Sequence, residues 1–376
     1  MLLKKLHDVV SKNVLNSKGK SVTHKLVVLE SDDWGTIRMA SKQDYQRFLN
    51  KNPLLDQCYF SKNDMLESNE DLMFLMETLG AVKGSDGLPA KITMNNIVAN
   101  PDFEKIKAND FQQYYFEPFT KTLHRYPNHD RVIEYYKEGL ENKIFQVQFH
   151  GREHVHVSHW MSELQKDNKY VKEVFDSGMF SIFRNLENST CNGEFQNGMA
   201  AYSETQHEFI SKSIIEGTEL FEDLWGFKSK SVIAPCYNWH PRLEEVFNTC
   251  GISLIQGGRV QLSPSEIDGV NYPITHYFGE LNNLKQTYLI RNVYFEPTTN
   301  PSLDWVDKAL LDISIAFLWK KPALISTHRL NYIGGLVSEN RDKNLVLLKT
   351  LLEKIVRRWP DVKFISTDEI KNYFLA

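Results

Sequence analysis

The chain has 376 residues, of which 41% are hydrophobic and 24% charged, the values of a globular protein with ample core material. A net charge of −4 without any long basic tract excludes the positive face that nucleic acid demands. No apolar run approaches the length of a membrane span. Cys58, Cys191, Cys236 and Cys250 form no C-x-x-C pair and read as reduced thiols.

The first twenty residues, MLLKKLHDVVSKNVLNSKGK, are interrupted by charge too often for a secretory signal. They read as a short amphipathic helix, and with the cysteines they place the protein in the cytoplasm. The triplet Asn-Ser-Thr at 188–190 matches a glycosylation acceptor, which carries no weight without export. Short apolar runs then predict strands over Lys25–Glu30, Ala90–Met94, Phe145–Phe149, Ser231–Ala234, Ser253–Ile255, Ala323–Thr327 and Lys363–Ser366. Between them, helical patterns cover Asn69–Leu79, Arg131–Asn142, Ser203–Leu224, Pro241–Cys250, Trp305–Trp319 and Leu345–Trp359. Ser203 with Gln206, and Ser366 with Glu369, have capping-box spacing. Residues 95–130 and 259–290, rich in Asn, Tyr and Phe, read as irregular insertions.

Strands that alternate with helices imply parallel pairing through right-handed crossovers. Seven or eight of them, with no low-complexity linker, predict an α/β fold: one (β/α) barrel resembling a TIM barrel over residues 1–376. In such barrels the site lies past the C-terminal strand ends. Those ends carry Ser31-Asp32-Asp33-Trp34-Gly35, His150-Gly151-Arg152-Glu153-His154, Pro235-Cys236-Tyr237-Asn238-Trp239-His240 and His328-Arg329. His150 and His154, four apart, would project from one face of a helical turn, with Asp33 as the third ligand of one divalent ion. His156 competes with His154 for that place. His159 fits a surface or capping position. Aromatic residues at 12% suit a large core as readily as a cleft for flat-faced ligands.

The order Asp-Asp, H-x-x-x-H, a Pro/Tyr-bearing strand end and a late His resembles the polysaccharide deacetylases, carbohydrate esterase family four (the NodB-homology domain). The resemblance spans residues 26 to 370 and includes the closing Phe364-Ile365-Ser366-Thr367-Asp368-Glu369-Ile370. It implies Asp32 as general base, Asp33, His150 and His154 as metal ligands, and His328 as general acid. It also implies that the backbone amide of Tyr237 helps hold the oxyanion. The metal would be one divalent ion, zinc foremost, with cobalt, nickel, manganese or iron as alternatives. The substrate would be an acetylated carbohydrate losing an N- or O-acyl group.

The chain departs from that pattern at defined places. T-F-D-D-G reads Glu30-Ser31-Asp32-Asp33-Trp34, with Gly35 one place late. Gly151 follows the first motif His, and Arg329 follows the late one. Ala234 stands where the family has the Arg that positions the base, and Arg291 could supply that group from another strand end. Asp304-Trp305 loosely matches the motif whose aspartate tunes the acid His, but reads rather as a helix start. Two other functions remain open. One is a glycoside hydrolase of the same barrel superfamily using Asp32 or Asp33 with Glu296. The other is a non-catalytic sugar binder, with Trp34, Tyr237 and Trp239 as stacking platforms beside Asn238.

Overall fold

A computed structural model describes residues 2–184 and 195–375, with side-chain burial from residue 8. Cys191 and the 188–190 triplet lie outside the described residues. Among the described residues nine strands form the main sheet: β1 (Leu26–Trp34), β2 (Ile92–Ile97), β3 (Phe145–Gly151), β4 (Ser231–Ile233), β5 (Leu254–Gly257), β6 (Thr287–Ile290), β7 (Val293–Tyr294), β8 (Ala323–His328) and β9 (Lys363–Phe364). Their order is β6-β5-β4-β3-β2-β1-β8-β7, with β9 on β1, and every pairing is parallel.

The central strand β1 opens on an unbroken apolar run, Leu26–Leu29, as expected of a parallel strand buried on both faces. All nine residues of β1 are buried. Its Leu26 and Val27 pair with β9, and from Leu29 onward the same edge passes to β2. The sheet curls as a (β/α) barrel does. Its two outermost strands, β6 and β7, are consecutive in the chain. At the hand-off Arg291 donates its amide to Gly257 of β5, 2.9 Å, and Asn292 donates to Leu324 of β8, 3.2 Å. The N-terminal helix Leu2–Ser17 abuts this seam, where Asn16 accepts from the Asn292 side chain at 2.8 Å.

All seven expected strands are present, and most run further toward their C-terminal ends than the apolar pattern suggested. Polar residues at those ends face the barrel interior instead of water. The expected insertion at 259–290 is in part regular. It holds the hairpin Val260–Pro264/Asn271–Thr275 and the sheet strand β6. Residues 95–130 likewise contain the end of β2 and an antiparallel pair, Ala99–Pro101 with Phe116–Pro118. The last long helix, Ser338–Arg358, starts a full two turns earlier than expected. Ser366 and Glu369 form a complete capping box, on a 3₁₀ segment. Ser203 caps its helix, but Gln206 takes the amide of Tyr202 instead. Among the described residues, no helix is long and apolar enough to cross a membrane.

Candidate metal centre and catalytic pocket

The site grows out of a defect in β1. Ser31 faces Met94 and Trp34 faces Asn96, so β1 spends one residue more than β2 between these pairs. That extra residue makes a β-bulge, and Asp33 takes the left-handed conformation, φ 75°. Successive residues on a regular strand point to opposite faces. The bulge cancels that alternation, so Asp32 and Asp33 both line one pocket. Gly35 follows at φ 83°, where a Cβ would lie 2.3 Å from the Ile97 carbonyl oxygen, so only glycine fits.

The pocket measures about 170 Å³. Asp32, Asp33, Arg38, His150, His154 and His328 line it, with Ile233, Ala234, Cys236 and Tyr237 closing one wall. Asp33, His150 and His154 are buried, with candidate ligand atoms all within 4.8 Å of one another. Asp33 Oδ1 lies 3.5 Å from His150 Nε2 and 3.2 Å from His154 Nε2. His150 donates from Nδ1 to the Ile233 carbonyl, 2.8 Å, which leaves the Nε2 lone pair turned toward the carboxylate. His150 Nε2 and His154 Nδ1 are buried without a hydrogen-bond partner. Burial drives His154 down to about 4, against the pull of Asp33, so its ring is neutral at physiological pH. Two buried imidazoles beside a buried carboxylate oxygen form a donor set that suits a cation, so the triad could hold a metal ion.

The expected helical turn carrying both histidines is absent. His150 is the next-to-last residue of β3, and its last, Gly151, at φ 127°, turns the chain so that a loop returns His154 to within 5.1 Å, ring to ring. His156 is elsewhere: it caps the helix Val157–Gln165 by accepting the His159 amide and stacks on Tyr202. His159 is exposed, its ring edge-on to Phe195.

Asp32 pairs with His328 across the β1–β8 register. A buried Arg291 grips Asp32 with both terminal nitrogens, at 2.6 and 2.7 Å, while its Nε reaches Glu30 at 2.7 Å. Asn95 donates to Asp32 Oδ1 at 2.8 Å. Burial raises the Asp32 carboxyl, but Arg291 outweighs it and holds the group below the usual carboxylate range. Asp33 is held well below that range, where burial is overcome chiefly by Arg38. His328 Nε2 stands 3.8 Å from Asp32 Oδ2, and its Nδ1 hydrogen-bonds Glu296 Oε1 at 2.6 Å. Burial lowers His328, yet Glu296 and then the two aspartates raise it to about 9. Asn331 in turn holds Glu296 Oε2 at 2.7 Å. The partner of His328 is therefore Glu296, whereas Asp304 caps the helix Trp305–Leu318.

Four sequence expectations about the pocket wall need correcting. Trp34 is fully buried, donates to Ser31 Oγ at 2.9 Å and packs edge-on against Tyr136. Trp239 is buried against His276, with its ring nitrogen on Glu244. Asn238 is buried and turned toward Asn271 of the hairpin. None of the three lines the pocket, because each follows a backbone reversal that sends it into packing. Tyr237 does line it, at φ 53°, but its backbone amide already donates to the Ala234 carbonyl at 3.0 Å. Its phenol accepts from Arg291 at 3.2 Å.

Sequence reading missed a ring of alternating charges beneath the bulge. Arg38 donates to Asp33 Oδ2 at 2.9 Å and faces Asp64 at 3.4 Å. Asp64 pairs with Arg329 at 3.0 Å, and Arg329 with Glu67 at 2.8 Å. Glu67 then accepts the Gly35 amide at 3.0 Å, which returns the circuit to the turn that carries Asp33. All five side chains are buried. Their scattered positions offer no spacing signal; Arg329, directly after His328, was the sole hint.

No family model matches the chain, and no curated protein matches it in sequence. Solved structures align with most of this chain at low identity. A Mycobacterium smegmatis protein designated a polysaccharide deacetylase is 11% identical, with 94% of this chain and 93% of that one covered, at TM-score 0.42. A Parabacteroides distasonis protein designated a glycoside hydrolase/deacetylase is 10% identical, with 94% and 72% covered, at 0.47. The 4-alpha-glucanotransferase of Thermococcus litoralis is 8% identical, also at 0.47; 94% of this chain aligns, but it spans only 41% of that enzyme.

Proposed function

We propose that the protein is a metal-dependent hydrolase that removes an acyl group, acetyl foremost, from a sugar or polysaccharide. One observation carries this reading. A buried Asp33–His150–His154 cluster faces the same small pocket as Asp32 and His328, and each of the last two has its own charged partner. The sugar class rests on the motif order shared with polysaccharide deacetylases. The reading covers residues 1–376 as one unit with one divalent ion, zinc foremost, and a cytoplasmic substrate such as a glycan precursor.

A metal held by Asp33, His150 and His154 would polarise the acyl carbonyl and acidify water. Asp32, ionised and fixed by Arg291 and Asn95, accepts the proton of the attacking water as its oxygen bonds to the acyl carbon. The carbonyl electron pair moves onto oxygen. When it returns, the bond to the amine or alkoxide breaks, and that leaving group takes a proton from His328. Glu296 keeps His328 charged for this step and is thereby engaged, which disfavours its use as a glycosidase carboxylate.

Acetate release from a panel of acetylated sugars, with and without a chelator, tests the reading. Activity should vanish with the metal and return on zinc addition. Unchanged turnover after verified metal removal overturns it. Asp32→Asn should keep the metal while slowing turnover about 10²–10⁴-fold. His150→Ala should instead weaken metal binding.

A further inference from the structure

Arg38 lines the pocket, yet the reaction as described gives it nothing to do. Its side chain is 6% exposed and comes from the loop after the bulge, five residues beyond Asp33. One terminal nitrogen donates to Asp33 Oδ2 and the other to the Gln196 side chain. Nε faces Asp64, and the guanidinium lies 5.4 Å over the Phe60 ring. Asp33 thus divides its two oxygens: Oδ1 toward the histidines, Oδ2 toward Arg38. An acyl oxygen held at that centre would stand beside the guanidinium, which lines the same pocket.

Hydrolysis also needs a fixed donor for the oxygen on which negative charge collects. The Tyr237 amide is spent on the Ala234 carbonyl. Arg291 is spent on Glu30, Asp32, Tyr237 and Ser326. Arg38 uses two of the five N–H groups of a guanidinium in hydrogen bonds, so it has donors to spare. The charge balance points the same way. The ring beneath the bulge sets two arginines against three carboxylates, an excess of one negative charge. A divalent ion on Asp33 would reverse that balance within the ring, on the side of the pocket where Arg38 stands.

We infer that Arg38 is a further catalytic residue, donating from its guanidinium to the acyl oxygen as that oxygen becomes an oxyanion. This rests on the hydrolase reading above. Neutralising Asp33 and Asp64 would be a merely structural role, and it predicts different results. The experiment compares wild type, Arg38→Gln and Arg38→Lys, each loaded with zinc to measured occupancy. It reads kcat and KM for acetyl esters, and the affinity of inorganic phosphate as a tetrahedral anion by calorimetry. Arg38→Gln should keep its zinc, lose about 10²–10³-fold in kcat with little change in KM, and bind phosphate at least about tenfold more weakly. Arg38→Lys should regain part of both. Phosphate affinity and kcat unchanged in Arg38→Gln at full zinc occupancy overturn the inference, as does a loss cured by saturating zinc. If Arg38→Gln does not fold, Arg38→Lys decides: phosphate affinity equal to wild type counts against the role. Wild type that binds zinc and phosphate but releases no acetate refutes the hydrolase reading instead, and the phosphate comparison still reads Arg38.

Discussion

Asp32 and Asp33 are adjacent in the chain but answer to different arginines. Arg291 comes from the barrel seam and Arg38 from the loop beyond the bulge, so each carboxylate is compensated separately and both stay ionised. His328 is tuned in the opposite sense. Its pKa of about 9 stands above the ordinary histidine value, so it is charged at neutral pH. The stabilisation from its ion pair is complete below the unfolded value and fades as pH rises through about 9. A step that needs this proton should show a falling limb there. Glu296→Gln removes the largest raising charge, so the limb in the pH profile of kcat should move down toward the ordinary histidine range. A limb that stays in place would exclude His328 as the acid. The residues legible in sequence were those whose chemistry is contiguous: the Asp pair, the spaced histidines, the late His. Asn95 and the pairing of Glu296 with His328 were opaque because those partners meet only across strands, and Arg38 because the bulge, which no spacing announces, brings it back onto Asp33.

At the scale of the element, the bulged end of β1 is clamped twice. The charge ring holds it through the Asp33 side chain and the Gly35 amide, and Trp34 holds it by burial against Tyr136. Sequence suggested Trp34 as a sugar platform, since nothing in one strand tells which side of a bend an indole will take. The two roles separate experimentally. Trp34→Ala should cost about 3–5 kcal/mol in denaturant unfolding, the loss expected for a fully buried indole. Zinc affinity and KM of the folded fraction should stay near wild type. A stable variant with a raised KM would return Trp34 to the substrate. The ring carries its own risk, because removing one partner strands a buried charge, at about 3–5 kcal/mol.

For the whole molecule, the barrel class and seven of its strands could be read from short apolar runs alternating with helical periodicity. The two missed strands, β6 and β7, flank the seam and are short, and only Arg291 and Asn292 separate them, so the strand–helix alternation that marked the others is absent there. Their pairing is set by what lies on either side, β5 and β8, and no local signal encodes that. The bulge has a further meaning at this scale. It is a surplus of one residue, so an in-frame loss of the Asp33 codon would leave Ser31, Asp32 and Trp34 opposite Met94, Asn95 and Asn96 in regular register. The deletion protein should fold with wild-type circular dichroism and bind no zinc; failure to fold would show that the surplus residue supports the barrel itself. Read in reverse, one acidic residue inserted into a plain parallel strand is enough to turn two neighbouring carboxylates into the same pocket.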